Sequence, residues 1–266
     1  MNRFEVTGLC AGYGSKRVID GLSFSVEGGT LMGVLGANGS GKTTLLRSIC
    51  GILPHAGECV LEGVKLESLS ARQLAQKCSY IPQHSGIGID ISALDVVLMG
   101  FNPQLRLLEY PTKAMKEQAL QALKQAGIGG MAQSNYLHLS EGQKQLCLLA
   151  RTLISHGRLL LLDEPESALD FRFRYHMLKI IRDWVRQDGR FGFVALHDPM
   201  LALNECDELL LIKDGHSLGV IRPASDPAGR MEEMLSEIYG SVSLASCMDR
   251  TGRKHIVMLK EGGDEW

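Results

Sequence analysis

Residues 30–53 read TLMGVLGANGSGKTTLLRSICGIL. An apolar run of strand character passes into a glycine-rich loop, ANGSGK, and then into a stretch with helical spacing that Gly51 is placed to stop. Strand, loop and helix in that order are the material of an α/β fold. Residues 3–26 read as short strands broken by glycine, FEVTGLC and VIDGLSFSV about a turn at AGYGSKR, which is antiparallel material. A second β stretch over 57–66 leads to a helix expected at 71–76 and a strand at CSYIPQ. From about 84 to 150 helical patterns dominate; Met115, Ala119, Leu123 and Ala126 recur at spacings of three or four. Strands and helices then alternate through RLLLLDE, RYHMLKIIRDWVRQ, FGFVALH and ELLLIKDG, which builds a parallel sheet covered by helices. A helix at MEEMLSEIYG and a hairpin from VSLA and HIVML complete the pattern.

The 266 residues are 45% apolar and 22% charged, too hydrophobic for a disordered chain and too often interrupted by charge for a membrane-spanning one. The formal charge of -2 gives no basic surplus that would point to nucleic acid or anionic lipid as a main partner. Seven cysteines at 10, 50, 59, 78, 147, 206 and 247, with no CxxC, are poor material for a disulfide framework or a zinc site and fit a reducing compartment. The start, MNRFEVTGLCAGYG, lacks the apolar segment of a signal peptide, and the longest apolar runs fall short of the ~20 residues of a spanning helix. A cytosolic location is the expectation.

Residues 36–43, GANGSGKT, match GxxxxGK[ST] between an apolar strand and a helix, where the pattern has physical meaning. Glycines 36, 39 and 41 let the backbone bend so that its N–H groups and the helix N-terminus face the β-phosphate of a nucleotide. Gly36, Ala37, Asn38, Gly39, Ser40, Gly41, Lys42, Thr43 and Thr44 are therefore candidate ATP contacts. Lys42 is expected to reach the β- and γ-phosphates, and the Thr43 hydroxyl to reach Mg²⁺. The competing reading is an ordinary glycine-rich turn with a surface lysine.

The run at 159–162 ends in Asp163 and Glu164, as expected of a Mg²⁺-associated aspartate followed by a base for the attacking water. Gln83 follows SYIP and His197 follows FGFVAL, so four candidate elements end apolar strands, at the edge where open α/β sheets bind ligands. His197 is placed to hydrogen-bond the γ-phosphate, and Gln83 to orient water or Mg²⁺ and report occupancy to the helical insert. Taken singly, either reads equally well as a loop residue. The remaining histidines, His55, His84, His138, His156, His176, His216 and His255, read as surface or packing residues.

Residues 139–143, LSEGQ, stand before the amphipathic KQLCLLARTLI. LSEGQ resembles the LSGGQ signature of ABC ATPases. With the phosphate loop, Gln83, LLLLDEP, the SALD of 167–170 and His197, it reproduces that family's motifs in order over almost the whole chain. The resemblance implies an α/β P-loop NTPase of ABC type, with a RecA-like parallel-sheet core, an antiparallel β subdomain and a helical subdomain. The expected divisions are 1–83 with 151–225, 84–150, and 226–266 as a terminal helix and hairpin. It also implies a head-to-tail dimer with a second copy, in which Ser140, Gly142 and Gln143 of one subunit meet the nucleotide held by the other. Tyr13 matches the aromatic that stacks on adenine, although a turn aromatic packed on the β layer is the alternative. Asp170 matches an aspartate that touches the opposite subunit.

Three positions depart from the family pattern. Glu141 replaces the usual glycine; a carboxylate near a triphosphate is unfavourable unless it points away or is paired, and Glu141 is expected to point away. Glu166 stands where threonine is common, and Pro199 interrupts the usual run after His-Asp. Within the family, SALDVVLMGFNP, the helix after it and HDPMLALNECDELLLIKDG look most like ATPases of importers for iron(III)-siderophores, haem or vitamin B12. That resemblance implies separate membrane permease subunits, a solute-binding protein reached through them, and a peripheral place on the cytoplasmic face of the membrane. An exporter ATPase, an importer subunit for another solute and a non-transport scaffold remain alternatives. A chromosome-maintenance ATPase does not fit, because only about one hundred residues separate phosphate loop and signature, without sustained heptads.

Overall fold

The computed structural model describes residues 2–83, 86–106 and 108–262. In chain order, β1 (Arg3–Tyr13) and β2 (Lys16–Glu27) form a hairpin, and β3 (Leu31–Leu35) leads into α1 (Lys42–Ile49). β4 (His55–Leu61), β5 (Val64–Lys65), α2 (Ala71–Lys77) and β6 (Cys78–Ile81) follow. The helical region holds α3 (Ala93–Leu98), α4 (Lys113–Gln125) and α5 (Glu141–Leu153). Next come β7 (Leu159–Asp163), α6 (Phe171–Arg186), β8 (Phe191–Ala195), α7 (Pro199–Glu205), β9 (Glu208–Lys213) and β10 (His216–Ile221). The last elements are α8 (Ala228–Tyr239), β11 (Val242–Met248) and β12 (Lys254–Lys260).

β10-β9-β3-β8-β7-β6 form one sheet, parallel except for β10, and β2-β1-β4-β5 form an antiparallel sheet. The parallel strands are apolar on both faces, as a doubly covered sheet requires. Leu160 and Leu162 of β7 face a core shared with α3, α4, α5 and α6. Leu159 and Leu161 face the opposite way, into a core shared with α1 and the antiparallel sheet. That second core is anchored by Phe4, Phe24, Phe191 and Phe193, whose ring centroids lie 5.5–6.3 Å apart in edge-on or tilted contacts. Among the described residues, β11 and β12 pair only with each other. Asn204 of α7 hydrogen-bonds the Ile256 N–H and carbonyl, and Arg253 reaches the buried Glu205 carboxylate at 3.0 Å, which docks the hairpin.

Two elements differ from the sequence pattern. Pro199 does not break a segment; it occupies the first turn of α7, where its missing N–H is harmless, and Asp198 Oδ1 caps the helix by accepting from the Met200 and Leu201 amides. β10 gives no apolar alternation because its register slips between Ser217 and Gly219, and Gly219 holds a φ of 130° there. No helix among the described residues is long and apolar enough to cross a membrane.

Candidate functional site

β6, β7, β8 and β3 are neighbours in the parallel sheet, so the residues that follow their carboxyl ends meet at one rim. After β3 the chain bends tightly. A side chain at Gly36 would lie 2.4 Å from the Ile212 carbonyl oxygen, and Gly41 caps α1 with a φ of 110°. No side chain caps α1, so its first N–H groups stay open towards the rim. Lys42 is 5% exposed, and its ammonium donates to the carbonyls of Gly36 at 2.8 Å and Ala37 at 3.3 Å. Burial lowers its pKa, while the charges of Glu164, Asp163 and Glu166 act the other way.

Thr43 Oγ1 donates to Asp163 Oδ1 at 2.8 Å, and the Tyr80 hydroxyl donates to Asp163 Oδ2 at 3.0 Å. Burial raises the Asp163 pKa, and these two hydrogen bonds oppose that shift. Glu164 takes a φ of 49°, a left-handed conformation that non-glycine residues seldom adopt. The bend points its carboxylate across the rim, where Oε2 accepts from Gln83 Nε2 at 2.7 Å and lies 2.6 Å from His197 Nε2. Gln83, Glu164 and His197 thus form one hydrogen-bonded group. They line a cleft of about 490 Å³ together with Tyr13, Lys16, Val18 and the loop from Asn38 to Thr44. Tyr13 is 47% exposed there.

Ser140, Gly142, Gln143 and Asp170 do not line this cleft. Ser140 caps α5 in a reciprocal box: its Oγ accepts from the Gln143 N–H at 3.3 Å, and Gln143 Oε1 accepts from the Ser140 N–H at 2.9 Å. The box engages the Gln143 carbonyl oxygen and leaves its NH₂ group. A Cβ on Gly142 would sit 2.9 Å from the Ala168 carbonyl oxygen, so the signature packs against the 167–170 segment. Asp170 caps α6 through the Phe173 N–H at 3.0 Å. Glu141 is paired with Lys144 at 2.8 Å and is more than half exposed. Pairs of this kind contribute only ~0–1 kcal/mol. Glu141→Gly is therefore expected to leave steady-state ATPase within a few-fold; a large gain in ATP affinity would show the acid facing phosphate.

Three residues of the site escape a reading of local pattern. Tyr80 looks like one more strand residue, yet it clamps Asp163. Gln145 is a polar residue on the apolar face of α5, 2% exposed, and its Nε2 donates to the carbonyls of Pro82, at 3.1 Å, and Gln83. Glu166 is 3% exposed; its Oε1 accepts from the His197 N–H at 3.3 Å and its Oε2 has no partner among the described residues. His84 lies outside the described residues.

Burial raises the Glu166 pKa above its unfolded value. A carboxyl shifted in that direction contributes stability below the ordinary carboxylate range and loses it as pH rises through the elevated value. Glu166→Gln carries no such ionisation. The melting temperature of the natural chain, relative to this variant, should fall as pH rises above the ordinary carboxylate range. A difference independent of pH would contradict the assignment.

Residues 19–167 match the family described as ABC transporter. A hemin import ATP-binding protein of Bordetella bronchiseptica is 35% identical over 84% of this chain and 87% of its own length. The chain belongs to the ABC transporter family. A cobalamin import ATP-binding protein of Halobacterium salinarum is 33% identical over 93% of this chain, which spans only 64% of that relative's length. A metal-chelate type ABC transporter in an inward-facing conformation is 25% identical, with a TM-score of 0.80 over 97% of this chain and 98% of that one. A dimeric ATP-binding cassette in a post-hydrolysis state with ADP and Pi, 21% identical, shares the fold at a TM-score of 0.75 over 84% of this chain and 100% of that one.

Proposed function

We propose that the chain binds and hydrolyses ATP as the motor subunit of an importer, and that its cargo is an iron(III)-siderophore, haem or a cobalamin-type compound. The observation that carries the hydrolytic reading is the shared contact of Gln83 and His197 on one oxygen of Glu164, beside the Lys42 loop. Lys42 and the open N-terminus of α1 hold the phosphates, and Tyr13 stacks on the base. Glu164 takes a proton from the attacking water, Gln83 orients that water, and His197 hydrogen-bonds the terminal phosphate.

Thr43 and Asp163 offer hard oxygen donors already 2.8 Å apart, a set that suits Mg²⁺ rather than a softer ion. They would hold it with the side-chain oxygen of Gln83, and Mg²⁺ would supply charge neutralisation on the β- and γ-phosphates.

Ser140, Gly142, Gln143 and Asp170 lie away from the cleft of their own chain, which supports a head-to-tail pair in which they serve the partner's nucleotide. Two ATP molecules then hold the pair closed, and hydrolysis releases it. The core of 1–83 and 151–225, the helical subdomain of 84–150 and the appendage of 226–266 act as the moving parts. Separate permease subunits dock a short helix between the helical subdomain and the Gln83 loop, at the cytoplasmic face of the membrane, with the solute-binding protein engaged only through them.

The test is co-purification of the chain from its native membrane, with steady-state ATPase of the recovered complex. Pore subunits together with a solute-binding protein are expected, with ATPase stimulated when the loaded binding protein is added. Recovery with a permease that needs no binding protein would overturn import, and an absence of ATPase would overturn the motor.

A further inference from the structure

A second constellation lies on the antiparallel layer. His55 opens β4, Cys59 stands four residues along the same strand, and Glu67 lies in the short turn Leu66–Ser68 after β5. Gly57, between them, takes a φ of 91°, and the strand brings His55 and Cys59 to one place across this bend. The Cys59 backbone N–H donates to Glu67 Oε1 at 2.7 Å, and His55 Nε2 lies 3.5 Å from that same oxygen. A ring nitrogen, the thiol sulfur and a carboxylate oxygen of the three residues all lie within 4.8 Å of one another. The imidazole is 8% exposed and Cys59 is wholly buried.

The His55 ring faces two acceptors. Nδ1 lies 3.2 Å from the Ala56 carbonyl oxygen, and Nε2 faces Glu67. A neutral imidazole has one N–H, so one nitrogen always sets a lone pair against an oxygen. With hydrogen on Nδ1 and bonded to Ala56, the bare Nε2 points into the space shared with the carboxylate and the thiol. Metal-ligating histidines are oriented in this way, by a backbone carbonyl on the far nitrogen. A cation between the three side chains removes the lone-pair conflict.

We propose that His55, Cys59 and Glu67 bind a divalent transition-metal ion of the zinc class. One nitrogen, one sulfur and one carboxylate oxygen suit Zn²⁺ or Co²⁺ and disfavour Mg²⁺ and Ca²⁺. On binding, the S–H bond breaks, its electron pair goes to the metal and the proton goes to solvent. The donor atoms close to bond lengths of ~2.0–2.3 Å by side-chain adjustment. Three protein ligands leave a fourth position open, as in zinc sites that also hold a water. A cavity of about 500 Å³, lined by His55 and Glu67 and also by Cys50, Cys78 and Tyr80, lies beside that position. Tyr80, in the wall of this cavity, is the residue that clamps Asp163. The spacing of the cysteines hides the site, because its ligands come from two separate segments and no pair of cysteines is involved.

An imidazolium paired with Glu67 also satisfies both oxygens, and cobalt spectroscopy separates the two arrangements. Full-length protein without an affinity tag, stripped of metal and free of nucleotide and Mg²⁺, is titrated with Co²⁺. The expected result is saturation at one equivalent, with a sulfur-to-cobalt charge-transfer band and intense visible bands of tetrahedral cobalt, both removed by Zn²⁺. Cys59→Ser loses the charge-transfer band. His55→Ala and Glu67→Gln each weaken binding by at least ~10-fold. Cys247→Ser, at an exposed cysteine, leaves the spectrum unchanged. Retention of ATP by each variant checks its folding. No sulfur-to-cobalt band in the natural chain, a band that survives Cys59→Ser, or affinity unchanged in His55→Ala would overturn the site.

Discussion

Glu164→Gln is expected to reduce ATP hydrolysis by ~10²- to 10⁴-fold, the usual effect of removing a general base, while ATP affinity stays within a few-fold. The geometry explains the separation. Glu164 Oε2 accepts from Gln83 and faces His197, and the carboxamide oxygen of a glutamine can still accept from one of them. The left-handed turn at 164 is unchanged in its demands, because glutamine has the same branching at Cβ as glutamate. What disappears is the ability to take a proton. Nucleotide binding adds RT ln(1 + [L]/Kd) to whichever state holds it, ~2.7 kcal/mol per site at a hundredfold excess over Kd. Without hydrolysis that term persists, and the variant should accumulate as a closed pair on size-exclusion chromatography in Mg-ATP. Undiminished phosphate release in a single-turnover assay would remove Glu164 from its role.

Lys42→Ala should weaken ATP binding by ~10- to 100-fold, in line with ~1.5–3 kcal/mol for hydrogen bonds to a charged group. The side chain is nearly buried, and Glu164, Asp163 and Glu166 all act on it electrostatically. Its removal takes away the phosphate contact and also leaves three carboxyl groups without their common cation. Both effects disfavour a polyanion, so the loss should appear in Kd rather than in turnover alone. Titration with a fluorescent ATP analogue measures it, with the melting temperature as a check on folding. An unchanged Kd would assign the phosphates to the backbone amides of the loop.

Two strands of the rim, β7 and β8, were readable because each is a run of apolar residues that stops at a polar one. Leu159 to Leu162 before Asp163, and Phe191 to Leu196 before His197, have no other economical reading once the glycine-rich loop is in view. The signature needed the family resemblance, since its capping box would begin any helix. What stayed hidden depends on tertiary contacts. Tyr80 matters through Asp163, far along the chain, and Glu166 through its burial under the backbone of His197. Pro199 stood out only as a departure from the family's run after His-Asp, and its place at the first position of α7 needed the structure. Asp198, which turns that position into a helix start, is recognised by the hydrogen bonds that it accepts.

The two bonds from Gln145 to the backbone before and at Gln83 fasten that loop to the helix that begins with the signature. A ligand that shifts α5 from outside therefore moves the backbone at Gln83, and with it the amide that donates to Glu164. The linkage between two binding equilibria is reciprocal. Whatever seats on the helix and whatever fills the cleft then alter each other's affinity by the same factor.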